Sequence, residues 1–219
     1  ETKAELAAEL AELGLTYADI DRLFLTHWHY DHAGLAGHIQ QESGATVHIH
    51  EADAPLVAGD GDSLIEEQSL QQEKFGEWQI PDGPRQELMS FLEGHADLGG
   101  DAVDVTPFEG GDRFEVNGLE LEAVHLPGHA AGLTAFAVER EGEHQAFVGD
   151  AILPKYTPNV GGADVRVEAP LARYVESLLE VIDRDWDRVH PGHRDPIDTP
   201  TGRAQVILEH HRERTANVL

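Results

Sequence analysis

Apolar and polar positions follow one another along the first fifty residues in a pattern typical of alternating helices and strands. Leucines recur at helical spacing over residues 5–13, and Gly14 then supplies a natural helix stop. An apolar run within residues 21–26 predicts a buried strand, and residues 33–41 and 45–50 predict a helix and a second strand. The chain therefore opens with a helix, a strand, a polar loop, a helix and a strand.

The periodicity weakens over about residues 52–104 and predicts a helical insertion, with a turn at residues 81–84. Beyond it, two short apolar runs flank Asn117-Gly118, the strongest short signal for a β-hairpin. The remaining predicted elements are strands over 133–138, 145–148 and 188–190, a helix over 170–182 and a helix from about 201 onward. Because we find no internal repeat or linker, we expect one α/β (α+β) domain over residues 1–219.

Five apolar residues recur at helical spacing within the helix predicted over 170–182. They are predicted to be its core face: Leu171, Val175, Leu178, Leu179 and Ile182.

Charge and composition narrow the functional classes. The 219 residues carry 42 acidic and 15 basic side chains, a formal net charge of -27, which argues against nucleic acid as a partner. The acidic residues are spread over the whole chain, a pattern that indicates adaptation to molar salt, where charge repulsion is screened. The alternative is an ordinary acidic surface. No apolar run reaches the roughly 18 residues of a membrane span, so we expect a cytoplasmic protein without membrane contact. The expected partner is a small-molecule substrate.

The residues that follow the first strand predict a metal site. The segment reads Thr-His-Trp-His-Tyr-Asp-His from Thr26. His27 and His29 lie on the same side of an extended backbone, while Asp31 and His32 follow the strand end and can turn toward a neighbouring point. Since the chain has no cysteine, any metal must be bound by nitrogen and oxygen ligands.

Three further side chains of ligand type occur where predicted strands end. His129 follows Pro127-Gly128, Asp150 follows Gly149, and His193 follows Pro191-Gly192. Small residues before each of them let the backbone turn sharply and approach a shared centre. We therefore expect these three side chains to join the histidine-rich loop.

In this combination the sequence resembles the metallo-β-lactamase superfamily, in the branch of glyoxalase II and other β-lactamase-like hydrolases. The resemblance rests on an H-x-H-x-D-H motif at His27 followed by His129, Asp150 and His193 in order. It implies an αββα sandwich. Several strands normally precede the helix before the motif, whereas this chain begins at that helix, so the resemblance also implies a first sheet that is incomplete at the N-terminus.

The resemblance further implies a ligand set for two divalent metal ions, expected to be zinc, with iron and manganese as alternatives. The ligands implied for one ion are His27, His29 and His129. Those implied for the other are Asp31, His32 and His193, with Asp150 bridging. Zinc β-lactamases commonly use a cysteine in the second site, so its absence disfavours antibiotic hydrolysis. The histidine at position 29 disfavours the diiron flavoproteins, which the resemblance associates with a glutamate there.

These ligands predict a metallo-hydrolase in which a metal-bound hydroxide attacks an ester, thioester or lactone. Asp31 is the expected catalytic residue, which orients the water and accepts its proton. Lys155, Tyr156 and Asn159, in the loop after Asp150, are the expected substrate contacts. Three alternatives stay open: a phosphodiesterase or ribonuclease with the same two ions, a mononuclear iron dioxygenase of the persulfide type, and an inactive metal-binding fragment.

Overall fold

The computed structural model describes residues 2–96, 103–161 and 164–218. Within it the chain forms two compact units, Glu1–Phe108 and Glu109–Leu219. Each unit combines helices with strands, which confirms the predicted α/β class. The single domain predicted over residues 1–219 stays a prediction.

The first unit is built on parallel strands. Its strands are β1 (Arg22–Phe24), β2 (Thr46–His50) and β3 (Val105–Phe108), in the spatial order β1-β2-β3. Its helices are α1 (Thr2–Glu12), α2 (Tyr30–Ala33), α3 (Ala36–Ser43), α4 (Ala54–Val57), α5 (Gly61–Glu77) and α6 (Asp82–Ala96).

The core of the first unit lies around its central strand, β2. Val47 and Ile49 are fully buried on this strand, as expected where a parallel strand is covered on both faces. Leu25, just past β1, and Ala36 at the start of α3 belong to the same cluster. Gly44 ends α3 in the left-handed conformation, with its N–H donating to Gln40 O, and so turns the chain directly into β2.

Helices occupy most of the predicted insertion, of which residues 97–102 lie outside the described residues. The turn expected at 81–84 is displaced, because α6 already begins at Asp82. Gln79, with a φ of 54°, lies in the turn before α6. Pro84 is tolerated inside the first helical turn, where backbone N–H groups have no partner within the helix.

The second unit is built on a mixed sheet. Its strands are β4 (Arg113–Val116), β5 (Leu119–His125), β6 (Thr134–Arg140), β7 (Glu143–Gly149) and β8 (Arg188–Pro191), in sequential order. Its helices are α7 (Pro170–Arg184) and α8 (Pro200–Ala216). The predicted Asn-Gly hairpin is confirmed, with Val116 opposite Leu119 and positive φ values of 52° and 83° at the two turn residues.

The direction of the strands brings three loops to one edge of this sheet. β5 and β7 are each antiparallel to β6, and β8 is parallel to β7. Strands β5, β7 and β8 therefore run the same way, and their carboxyl ends meet at the same edge. His129, Asp150 and His193 are in the segments that leave these three ends.

The buried face of α7 differs from the predicted one. Leu171 and Leu179 are exposed by 39% and 49%, so the core assignment of these two leucines is wrong. Tyr174, Leu178 and Val181 form the buried face instead, and all are at most 1% exposed. Their spacing is still helical, but the stripe is rotated, because a tyrosine takes a core position that the sequence pattern assigned to aliphatic residues.

None of the helices within the described residues combines the length and the apolarity that crossing a membrane requires.

Candidate metal centre

The loop after β1 presents the first histidines of the motif. His27 is fully buried, and its Nε2 lies 3.0 Å from Nδ1 of His29. Its other ring nitrogen, Nδ1, lies 3.1 Å from Oγ1 of Thr26. One nitrogen of His27 thus lies beside a nitrogen of His29, and the hydroxyl group of Thr26 contacts the other nitrogen of His27.

A buried carboxylate after β2 supports this loop from the same unit. The Asp53 side chain is fully buried, and its Oδ2 accepts a hydrogen bond from the backbone N–H of Trp28 at 3.1 Å. Because Trp28 stands between His27 and His29, this bond fixes the backbone that separates the two rings.

The short helix α2 carries the second half of the motif. His29 caps it, and Asp31 and His32 lie in its single turn. Oδ2 of Asp31 lies 3.7 Å from Nε2 of His32, and the rings of His27 and His32 are 4.1 Å apart between centroids. The first unit therefore brings its four predicted ligands together within one loop and one helical turn.

In the second unit, Asp150 lies between two imidazoles. Its Oδ2 is 3.6 Å from Nε2 of His129 and 3.6 Å from Nε2 of His193. The side chains of Asp150 and His129 are buried, whereas that of His193 is 37% exposed. The second unit therefore brings together its three predicted ligands, with the carboxylate in the middle.

A backbone carbonyl sets the tautomer of His129. Its Nδ1 lies 2.8 Å from the carbonyl oxygen of Asn159, which can only accept a hydrogen bond. Nδ1 must therefore carry the proton, and in the neutral ring Nε2 carries the lone pair. That lone pair is on the nitrogen that faces Asp150, which is the state a metal ligand requires.

Close backbone approach explains the glycine before His129. Gly128 has a φ of 139°, and a Cβ placed on it would lie 2.6 Å from Cβ of Tyr174. The Tyr174 hydroxyl donates a hydrogen bond to the carbonyl oxygen of Ala151 at 2.9 Å. Burial raises the pKa of Tyr174, which keeps the hydroxyl a neutral donor. One residue of α7 thus packs under the His129 loop and holds the chain just after Asp150.

The donor set fits a divalent cation such as zinc. Bonds of about 2.0–2.1 Å in tetrahedral geometry place neighbouring ligand atoms about 3.3 Å apart. Within each unit, the separations of 3.0 Å for His27–His29 and 3.6 Å for His129–Asp150 lie on either side of that value. The groups of histidine and aspartate side chains that could hold a metal ion comprise His27, His29, Asp31, His32, His129, Asp150 and His193.

The three residues predicted to contact substrate lie in the loop after Asp150. Lys155 and Tyr156 are exposed, and Arg203 of α8 holds this loop by donating to Leu153 O at 2.5 Å and Tyr156 O at 2.8 Å. Asn159 is also exposed, and its backbone carbonyl oxygen accepts the hydrogen bond from Nδ1 of His129. Substrate contact by these side chains stays a prediction.

Sequence reasoning missed the residues that support the ligands. Asp53, Asp164, Tyr174 and Arg203 each form a hydrogen bond to the backbone of a ligand loop or its continuation. These hydrogen bonds span 23 to 50 residues in sequence. Lone polar residues at such distances carry no periodic signal, and only Asp53, an acidic residue between two alanines, could have drawn attention.

Known proteins resemble this chain over half or most of its length. A Drosophila melanogaster protein named beta-lactamase-like protein 2 homolog is 26% identical over 202 residues, which are 92% of this chain and 54% of that protein. This chain thus spans about half the length of that relative. An atrochrysone carboxyl ACP thioesterase of Passalora fulva is 30% identical over 107 residues, 48% of this chain and 30% of that protein.

Solved structures and a family model agree with these relatives. The crystal structure of a metallo-beta-lactamase family protein from Thermus thermophilus matches with a TM-score of 0.82 and 30% identity, over 99% of this chain and 69% of that one. This match confirms the predicted metallo-β-lactamase fold. The model of the metallo-beta-lactamase superfamily matches residues 1–193, a range that includes all seven predicted ligands. The chain belongs to the metallo-beta-lactamase superfamily.

Proposed function

We propose that this chain is a metal-dependent hydrolase of carboxylic esters or thioesters, in which histidine and aspartate side chains hold two divalent cations. The observation that carries the proposal is the placement of Asp150, whose Oδ2 is 3.6 Å from both His129 Nε2 and His193 Nε2. A carboxylate between two imidazoles is the arrangement expected of a ligand that bridges two cations. Membership of a superfamily of hydrolases supports it.

When bound, divalent cations would supply a nucleophile at neutral pH by lowering the pKa of a water molecule, and would polarise the carbonyl group of the substrate. The chain's own residues position these partners. His27, His29 and His129 are proposed to hold one cation, and Asp31, His32 and His193 the other.

Asp31 is proposed to orient the attacking water and to accept its proton. It lies in the first turn of α2, with a carboxylate oxygen 3.7 Å from His32 Nε2. A carboxylate beside a ligand can accept a hydrogen bond from the water and direct its lone pair at a carbonyl carbon. Lys155 and Tyr156, exposed in the loop that Arg203 holds, are proposed to contact the substrate.

Two considerations favour an acyl substrate over a phosphodiester. The formal net charge of -27 disfavours a polyanion. The Passalora fulva relative carries the name of a thioesterase.

The test is hydrolysis by the zinc-reconstituted protein of an aliphatic acyl thioester, a carboxylic ester and bis(p-nitrophenyl) phosphate. We expect turnover of the first two that exceeds turnover of the phosphodiester. The His193→Ala variant should lose at least about 100-fold in kcat/KM, since it removes a proposed ligand. His144→Ala is the matched control, because His144 lies on an exposed hairpin beside Glu139. It should retain full activity.

The opposite results would identify the alternatives. Faster hydrolysis of the phosphodiester would replace the proposal by a phosphodiesterase. One bound iron with no hydrolysis would favour a dioxygenase, and bound metal without turnover of any substrate would favour an inactive metal-binding chain. Equal loss of activity in the His144→Ala control would show that His193 is not specifically required.

A further inference from the structure

Asp164 is a buried carboxylate in the loop that joins β7 to α7. Its side chain is fully buried and is bound on both oxygens by Arg166, with Nε donating to Oδ1 at 2.9 Å and Nη2 to Oδ2 at 2.5 Å. The backbone N–H of Ala131 donates to Oδ2 at 2.7 Å. Asp164 therefore connects the loop after Asp150 with the loop that carries His129.

The backbone N–H and the carbonyl oxygen of Ala131 each form a hydrogen bond with a side chain. Its N–H donates to Asp164, and its carbonyl oxygen accepts a hydrogen bond from Nε2 of His125 at 2.8 Å. His125 is the last residue of β5, so one side of Ala131 is fixed to the sheet and the other to a buried ion pair. The residue two positions past His129 is thereby held from two directions.

The same stretch of chain also holds the residues before and at His129. The backbone N–H of Gly161 donates to Gly128 O at 3.2 Å, and Asn159 O accepts from His129 Nδ1 at 2.8 Å. Asn159, Gly161 and Asp164 thus contact positions 129, 128 and 131 respectively. We call these three residues together with Arg166 the His129 clamp.

We propose that Asp164, paired with Arg166, is a positioning residue for the metal ligand His129, so that the His129 clamp sets the affinity of the cation which His129 binds. Asp164 touches neither substrate nor cation in this role and acts only through the backbone of Ala131. The inference rests on the proposed function in one respect, namely that His129 binds a metal ion.

The ionisation of Asp164 agrees with this role. Burial alone would raise the pKa of its carboxyl group. The hydrogen bonds and charge of Arg166, with the N–H groups of Ala131 and Arg166, outweigh burial and lower the pKa. The group is therefore a fixed acceptor at neutral pH, and a charge-assisted hydrogen bond to a carboxylate is stronger than a neutral one.

The test measures binding of Co²⁺ to the metal-free protein by visible absorption and by competition with a chelator. For Asp164→Ala we expect one of the two binding constants to fall by about 10- to 100-fold, with altered d–d bands, as found when groups that orient a ligand are removed. Asp164→Asn keeps an oxygen that can accept from Ala131 and should recover part of the affinity. Such a rescue would not follow from a general loss of stability.

Arg166→Gln and Arg184→Gln form a matched pair. Arg184 also makes ion pairs in the second unit, but with Glu122 and Glu180. Arg166→Gln should weaken one cation site, whereas Arg184→Gln should leave both binding constants unchanged. Thermal unfolding of each metal-free variant shows which of them are folded, and if Asp164→Ala is not, Asp164→Asn and Arg166→Gln decide the outcome.

Parental affinities and spectra in the folded Asp164 and Arg166 variants would overturn the proposal, as would an equal loss in Arg184→Gln. A parent protein that binds no Co²⁺ would instead contradict the proposed function, so the two failures are distinguishable.

Discussion

At the scale of single residues, the neighbours of His129 set its tautomer and the path of its loop, on which its proposed role as a metal ligand depends. Asn159 O fixes its tautomer, and Gly128 lets the loop approach Tyr174. The sequence predicted His129 from its residue type and its place after a strand. It could not predict Asn159 in this role, because the contact is made by a backbone carbonyl, which every residue has.

Gly128→Ala tests the close approach before His129. We expect it to destabilise the protein by about 2–4 kcal/mol, because the new Cβ meets Tyr174 at 2.6 Å and the φ of 139° strains any side chain. Metal affinity should fall as well, since the His129 loop must shift. Denaturant unfolding and Co²⁺ titration measure the two effects.

Gly118→Ala is the control for that substitution. Gly118 also has a positive φ, 83°, but nothing lies within 4 Å of the position that a Cβ would take there. The substitution should cost only about 1–2 kcal/mol of strain and leave metal binding unchanged. Equal effects of the two substitutions would show that packing on Tyr174 does not matter.

The lowered pKa of Asp164 predicts a dependence of stability on pH. A carboxyl group with a lower pKa in the folded than in the unfolded state stabilises the protein above its ordinary value near 3.8. That contribution is lost as the pH falls through the folded-state pKa. The difference in unfolding free energy between the metal-free parent and Asp164→Asn should therefore shrink as the pH is lowered below about 3.8. A difference that is constant from pH 7 to pH 3 would contradict this.

At the scale of elements, the direction of strands explains why ligands far apart in sequence meet. His129, Asp150 and His193 follow β5, β7 and β8, whose carboxyl ends lie at one edge of the sheet. The apolar runs, the Asn-Gly turn and the histidines after strand ends could all be read from the sequence, because each depends on local pattern. Strand order within the sheets could not, since it depends on pairing between distant segments.

Two elements show where local pattern fails. β3 was not predicted, because Pro107 lies within it and a proline normally argues against a strand. It is tolerated there because β3 is an outer strand in the order β1-β2-β3 that the described residues form. In α7 the apolar spacing was correct, but the buried face was rotated toward Tyr174.

Two adjacent leucines of α7 test the observed buried face. Leu178 is 1% exposed, and Leu178→Ala should lower the free energy of unfolding by about 2–5 kcal/mol through the lost burial and the cavity it leaves. Leu179 is 49% exposed, and Leu179→Ala should change it by no more than about 0.5 kcal/mol. Chemical denaturation of both variants gives the comparison. A larger loss for Leu179→Ala than for Leu178→Ala would contradict the observed buried face.

At the scale of the whole molecule, the main feature is the formal net charge of -27. Repulsion among acidic groups opposes compaction in dilute buffer and is screened over about 3 Å at 1 M salt. We therefore expect the melting temperature of the metal-free protein to rise between dilute buffer and molar KCl. An unchanged melting temperature would contradict adaptation to high salt.

Seven histidine and aspartate side chains are proposed to hold two divalent cations, and the proposed chemistry depends on both ions. Elemental analysis by mass spectrometry after reconstitution and removal of loose metal tests this most directly, on the parent and on His27→Ala and His193→Ala. We expect two ions per chain in the parent and fewer in each variant. A parent without bound metal, or variants from both units that each keep two ions, would contradict it.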